Sequence, residues 1–340
     1  MSDPSFAGYQ AARSGVAWID RSDRVRLLVT GPDRVKFLHN LTTNDVKGLA
    51  VGVGCEAFVT SPQGKTLGFV TLHARADAIL LRADEGALEH LRPHLEEYAI
   101  FDDIALDDLG ARTFEVHFAG ALEEDPILEF DVDLPDFADL ANCKTSIAGR
   151  SIELIRESPT GSPGLTLIGA RDDAAAILDT LRAAGGPLGL TDLSRDEFDA
   201  LRIEAGTPVF GRDITTASLP QEAGRNARAI SFTKGCYLGQ ETVARLDAMG
   251  HVNKILRGLV IDDGPRTEPA GDLAAVEPTS LAYSPRWGKR VGLAMVKVKS
   301  ATHRTRVEVA IGGERFGAVV QELPMTPGGG VNRIADFADQ

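Results

Sequence analysis

Apolar and polar positions recur along this chain with two periods, and the changes of period mark the elements. Residues 24–30 (Arg-Val-Arg-Leu-Leu-Val-Thr) form a short apolar run closed by Gly31-Pro32-Asp33. That predicts a strand and then a helix, with Pro at or near its first position and Asp33 in its first turn. Phe37, Leu38 and Leu41 share one face of the helix before Thr42-Thr43-Asn44-Asp45 ends it. Residues 55–60 and 66–73 read as strands around the turn Ser61-Pro62-Gln63-Gly64, and 78–82 as another. Leu88, Leu91, Leu95 and Tyr98 recur at helical spacing, and Pro93 is expected to kink this helix or to start a second one. Further helices are predicted at 174–184 and at 194–205, the latter on Phe198, Leu201 and Ala205. After His251 the texture turns to strands at 254–261 and 290–299. The segments 306–311 and 315–320 then alternate around Gly312-Gly313, a hairpin whose tight turn admits positive φ at both positions. The acidic, aperiodic stretch 119–144 reads as a connection between lobes, and Pro327-Gly328-Gly329-Gly330 opens a tail.

Length adds that one core is too small for the chain: 340 residues predict two or three domains. A hydrophobic content of 43% with 25% charged residues belongs to a globular protein, not a disordered one. No apolar run approaches the roughly 20 residues that span a bilayer. The start, Met1-Ser2-Asp3-Pro4-Ser5, has neither a basic nor an apolar segment of a secretory signal. Three distant cysteines, Cys55, Cys143 and Cys236, without a CxxC, fit a reduced, cytoplasmic setting and cannot supply the usual four thiolates of an iron–sulfur cluster.

A net charge of −13 repels phosphate backbones, which excludes generic nucleic-acid binding. Between Arg202 and Arg257, however, eight basic residues outnumber five acidic ones. This window reads either as a solvated face with ordinary ion pairs or as a positive field for a small anion such as a carboxylate tail. Several motif look-alikes fail on context. Gly64-Lys65-Thr66 lacks the first glycine of a P-loop, because position 59 is Val59, and a strand follows it. Gly52-Val53-Gly54 runs on as strand through Phe58-Val59-Thr60, unlike a dinucleotide fingerprint. His90 and His94 flank Pro93 with no third ligand and read as surface histidines; no metal site is expected.

The most telling segment is Lys234-Gly235-Cys236-Tyr237-Leu238-Gly239-Gln240-Glu241. A lysine two residues before the thiol and a helix start just after it both favour the thiolate, and the glycines leave room for a partner to approach. The alternative reading is a buried packing cysteine, which this polar setting disfavours.

The octapeptide resembles the signature of the YgfZ branch of the folate-binding, glycine-cleavage T-protein superfamily. The run from Gly31 through Asp33, Arg34, Phe37, Leu38, Leu41, Thr43, Asn44 and Asp45 to Val46 is similar to that superfamily's N-terminal motif. Leu201-Arg202-Ile203-Glu204-Ala205-Gly206 is similar to its central motif, and Val291-Gly292-Leu293-Ala294 to its C-terminal domain. The resemblance implies an α+β fold: a three-domain ring around a folate pocket, ending in a small antiparallel β-barrel. It implies a folate-binding region over 1–250 in two lobes (1–50 plus 140–250, and 51–139), a barrel over 251–325 and a tail over 326–340.

The cofactor implied is tetrahydrofolate or a one-carbon derivative. Glu204 is the implied pterin ligand, since a carboxylate can accept two parallel hydrogen bonds from a 2-amino-pyrimidinone edge. Arg225, Arg228 and Gln240 are the further folate candidates, and Cys236 with Lys234 the reactive pair. Where the T-protein carries its acids on a Gly-Gly-x-x-Asp-Asp turn and strand, this chain has Gly68 and Phe69, and near the next asparagine Arg82 and Ala83. The resemblance therefore implies not a classical aminomethyltransferase but an auxiliary protein for iron–sulfur protein maturation or repair, and indirectly for tRNA modification. Its partners would be iron–sulfur client or assembly proteins, with no membrane. A folate-dependent one-carbon transferase or demethylase is the alternative.

Overall fold

The computed structural model describes residues 6–120, 138–185, 190–250, 252–266 and 273–327; most of the expected 119–144 connection and of the 326–340 tail lies outside them. The chain opens with α1 (Ala7–Ser14), β1 (Val16–Asp20), β2 (Val25–Thr30) and α2 (Arg34–Leu41). It continues through β3 (Gly54–Thr60), β4 (Thr66–Ala74), β5 (Ala78–Ala83), α3 (Leu88–Tyr98), β6 (Ala105–Asp108) and β7 (Thr113–Gly120). Next come β8 (Asn142–Ile147), β9 (Arg150–Arg156), β10 (Gly164–Ala170), α4 (Ala174–Gly185), β11 (Thr191–Asp192) and α5 (Arg195–Ala205). After α6 (Asn226–Ala229) and α7 (Gln240–Met249) follow β12 (Lys254–Pro265), β13 (Ala275–Val276), β14 (Ser280–Ser284), β15 (Lys289–Lys297), β16 (Arg306–Ile311) and β17 (Glu314–Gln321).

Three sheets result, in the orders β11-β1-β7-β10-β9-β8, β3-β4-β5-β2-β6 and β13-β16-β17-β12-β15-β14. The first two interleave in sequence. β1 pairs with β7 and, in parallel, with β11, whereas β2 is locked to β5 from Val25 opposite Ala83 to Thr30 opposite Ala78. The hydrogen bonding thus puts β1 and β2 in different sheets, and β7 returns to the sheet of β1. The third sheet is a curled half-barrel, antiparallel except for β13 beside β16, with its own core of Leu259, Val296, Val309 and Phe316.

Local chemistry explains the elements that set the site. α5 starts at a reciprocal capping box between Ser194 and Glu197 and stops at Gly206, a left-handed C-cap with φ 76°. α3 is one helix, not two: Pro93 lies on its exposed face, where water can serve the Glu89 carbonyl that the proline leaves unpaired. His94 is buried against Tyr98, 4.9 Å between ring centroids, so it is a packing residue and not a surface one. Among the described residues no helix is long and apolar enough to cross a membrane.

Candidate functional site

The first two sheets face each other through charge. Arg82 of β5, fully buried, donates to Glu115 of β7 at 2.6 Å and to both oxygens of Glu157 at 3.0 Å. Thr166 donates to Glu157 at 2.5 Å and lies 2.9 Å from Nδ1 of His117, while Arg24 and Arg26 close on Glu115 from 3.7 and 3.4 Å. Burial holds His117 down at about 4 and His73 at about 3, so both are neutral within the network. Burial pushes Glu157 up, but Arg82 outweighs it and keeps the carboxyl well below the usual range.

Above this layer lies a cavity of about 570 Å³ whose wall draws on all three parts of the chain, with Phe69 and Thr71 from β4, Phe198 and Arg202 from α5 and Arg257 from β12. Its carboxylates are engaged by arginines. Glu56 accepts from Nε of Arg225 and of Arg228, each at 3.0 Å, and Asp139 pairs with Arg228. Asp84 lies 3.8 Å from Arg21, and Glu157 is held by Arg82. The lining arginines have acidic partners in turn, with one exception. Arg257 donates to the carbonyl of Ala301 at 3.0 Å and has no carboxylate within 4.0 Å among the described residues. It stands in the basic window of the sequence, but nothing there marks it as the unpaired one.

Positions 68 and 69 separate in space. A side chain at Gly68 would enter the core, its Cβ 2.6 Å from Leu91 Cδ2, whereas Phe69 faces the cavity and packs 5.1 Å from the Phe58 ring. The position that could present an acid to the cavity is therefore 69, and it carries a phenyl ring.

The sequence candidates fall in three places. Arg225 and Arg228 line the cavity. Glu204 does not: Phe198, Arg202 and Ala205 form the cavity face of α5, and Glu204 points elsewhere. It is buried, accepting from Tyr9 Oη at 2.7 Å and Ser284 Oγ at 2.6 Å, so it bolts α1 and β14 to α5. Its Oε2 has no hydrogen-bond partner among the described residues, with Arg13 and Arg286 at 4.0 and 3.9 Å. Glu204 is therefore not part of the lining of this cavity.

Lys234 and Cys236 lie on the loop before α7 and Gln240 is the first residue of that helix, all three outside the cavity lining. Cys236 is exposed. Gln240 accepts from the N–H of Tyr237 at 3.3 Å through Oε1, a local turn contact. Gly239 at φ 82° lets the loop pass the Ser61–Gly64 turn, where a Cβ would lie 2.4 Å from the Ser61 carbonyl.

Lys234 joins its loop to the end of α2. Its ammonium turns inward and donates to the carbonyls of His39 at 2.6 Å and of Thr42 and Asn44 at 2.7 Å. Burial pulls it down to about 8, while the three carbonyl oxygens favour the protonated form. The thiol that feels this cation is Cys55, which burial nevertheless pushes up to about 12. Among the described residues no three His, Cys, Asp or Glu side chains gather as a metal site.

The family described as the GCVT N-terminal domain matches residues 1–234, and the glycine cleavage T-protein C-terminal barrel domain matches residues 254–326. An aminomethyltransferase of Shouchella clausii is 27% identical, covering 94% of this chain and 90% of its own length. A putative chloroplastic transferase of Arabidopsis thaliana is 28% identical, covering 92% of this chain and 71% of its own. The crystal structure of the glycine cleavage system aminomethyltransferase T from Bartonella henselae shares the fold, with a TM-score of 0.81, 19% identity, and coverage of 94% of this chain and 89% of that one. With both its long N-terminal part and its barrel matched in order, the chain belongs to the glycine cleavage T-protein family.

Proposed function

We propose that the chain is a tetrahydrofolate-binding member of its family that does not transfer aminomethyl groups and works, like the YgfZ branch, through its exposed thiol. In this reading it supports maturation or repair of iron–sulfur proteins in the cytoplasm, and through them tRNA modification. The observation that carries it is the cavity wall. Phe69 stands at the one acid position that faces the cavity, and the described wall carboxylates are engaged by arginines. A step that moves a proton on the cofactor needs a carboxyl able to exchange it near neutral pH.

The donor set suits a folate. The volume lies inside the range of about 300–1,000 Å³ usual for small-molecule sites. Phe69 and Phe198 offer apolar walls to a flat ring, and Arg257, which donates to the carbonyls of Ala301 and Leu256 but is in no ion pair within 4.0 Å among the described residues, is the cation for a glutamate tail. Folate bound there supplies a one-carbon carrier; this chain's residues hold and orient it.

Three experiments test the reading. Calorimetry with tetrahydrofolate should show binding, and silence with every reduced folate sinks it. With the other glycine-cleavage components, methylene-tetrahydrofolate should not form; turnover of about 1 per second or more would favour the transferase reading instead. In cells lacking the native protein, Cys236→Ser should fail to restore iron–sulfur enzymes.

A further inference from the structure

Two arginines in the cavity wall hold their charge without hydrogen bonds. Arg21 and Arg24 both line the cavity, each side chain 13% exposed. They close on one oxygen, Oδ1 of Asp84, at 3.8 and 4.0 Å, and Arg24 comes no nearer than 3.7 Å to Glu115 and 3.9 Å to Glu157. These separations are too long for hydrogen bonds, and the buried Nε of Arg24 has no hydrogen-bond partner among the described residues. Arg82, Arg202, Arg225 and Arg228, by contrast, each donate to a carboxylate at 3.0 Å or less. Asp84 is held elsewhere, its Oδ2 accepting from the N–H of Phe210 at 3.0 Å.

The charges do not balance either. Ion pairs within 4.0 Å link Arg21, Arg24, Arg26 and Arg82 to Asp84, Glu115 and Glu157, and His117 beside Glu157 is neutral. Four cations face three anions, and the two without hydrogen bonds to a carboxylate are Arg21 and Arg24. Asp23, another carboxylate that Arg21 feels, is held by Arg195 at 2.8 Å. Burial and then the like charge of Arg24 lower the Arg21 pKa, so its guanidinium gains from an anion within hydrogen-bond reach. Phe198 steadies it from one side, with the ring centroid 4.5 Å from the guanidinium carbon.

We propose that Arg21 and Arg24 form a subsite for one carboxylate group, carried by a small molecule whose apolar body lies against Phe198, and that this subsite does not use Arg257. A carboxylate fits the surplus: it brings one negative charge, and its two oxygens suit the planar forks of guanidinium groups. A phosphate monoester, with nearly two charges, exceeds it. The subsite goes beyond the folate reading and stands without it. Two sources share this chemistry, a free monocarboxylate seated beside folate and the glutamate tail of folate itself.

The probe is benzoate, with benzyl alcohol as its uncharged counterpart, in calorimetry on the full chain. Wild type should bind benzoate. Arg21→Met and Arg24→Met should each weaken it by about tenfold or more, as for a lost hydrogen bond to a charged group, while Arg257→Met leaves it within about twofold. Benzyl alcohol should bind more weakly and equally to all four proteins. If the variants do not fold, phenylglyoxal on wild type reads the same contact, because benzoate should slow modification of Arg21 and Arg24 in peptides followed by mass spectrometry. Repeating the titration in saturating tetrahydrofolate separates the sources. Undiminished benzoate binding assigns the carboxylate to a separate small molecule, whereas competition, with a matching loss of tetrahydrofolate affinity in Arg21→Met, assigns it to the folate tail. A protein that binds benzoate but no reduced folate removes the folate reading and leaves the subsite. Benzoate bound no better than benzyl alcohol, or equally by wild type and both variants, overturns the subsite.

Discussion

Replacing Arg82 by Met tests whether the charged layer holds the two N-terminal sheets together. Arg82 is 0% exposed and makes contacts of 2.6 Å to Glu115 and 3.0 Å to each oxygen of Glu157. Without it Glu115 keeps Arg24 and Arg26 at 3.7 and 3.4 Å, but Glu157 keeps, among the described residues, Arg24 and the neutral His117 ring, each at 3.9 Å, and the Thr166 hydroxyl. A buried carboxylate stripped of its partner costs about 3–5 kcal/mol. At roughly 2 °C per kcal/mol for a chain this large, the melting midpoint by circular dichroism should fall by roughly 6–10 °C.

The pH dependence has a definite sign. Burial raises and Arg82 more than offsets it for both glutamates, so their folded pKa values lie below the unfolded ones. Their stabilisation is present above the unfolded value of about 4.3 and is lost as pH falls through the lower folded value. In the variant the stranded carboxyl resists ionisation, so its deficit should be larger at pH 7.5 than at pH 5. Adding Glu157→Gln should recover part of the loss, because a buried charge is then removed. A fall under about 2 °C, or an equal fall at both pH values, would refute the assignment of Arg82 as the clamp between the sheets.

Arg257→Met should weaken tetrahydrofolate by about 1.5–3 kcal/mol in calorimetry, the range for a hydrogen bond to a charged group. Glu204→Gln should lower the melting midpoint while leaving folate affinity within about twofold; a larger loss of affinity would return Glu204 to the pocket. Gly239→Ala combines a left-handed backbone with a Cβ 2.4 Å from the Ser61 carbonyl, so a loss of about 1–3 kcal/mol in chemical denaturation is expected.

Local signals were legible in the residues and long-range pairing was not. The hairpin β3–β4, the α5 capping box and the hairpin β16–β17, with Gly312 and Gly313 at φ 61° and 85°, follow from turn chemistry and simple periods. β7 and β10 were missed because they are buried on both faces, and Glu115 and His117 interrupt what apolar pattern they have. In the site, the octapeptide announces its loop, yet nothing in it says that Lys234 turns to α2. The ion pairs of Arg225 and Arg228 join positions 169 and 172 residues apart, so which arginine stays free is a tertiary fact. Glu204 shows the reverse: a motif position is plain in the sequence while the direction of its side chain is set by α1 and β14.

The Lys234 cage also bears on the order in which the chain assembles during synthesis. Its three carbonyls lie 190 to 195 residues upstream, and β1 takes its parallel neighbour from Thr191–Asp192. Closing such long loops is slow and waits until the last partner has left the ribosome. The segment from Gly48 to Leu193 can form hairpins early, but the cage that seats the Cys236 loop cannot close before Lys234 emerges. A nascent or truncated chain ending before that point lacks the seated thiol altogether, so the loop's geometry is itself a mark that the N-terminal region is complete.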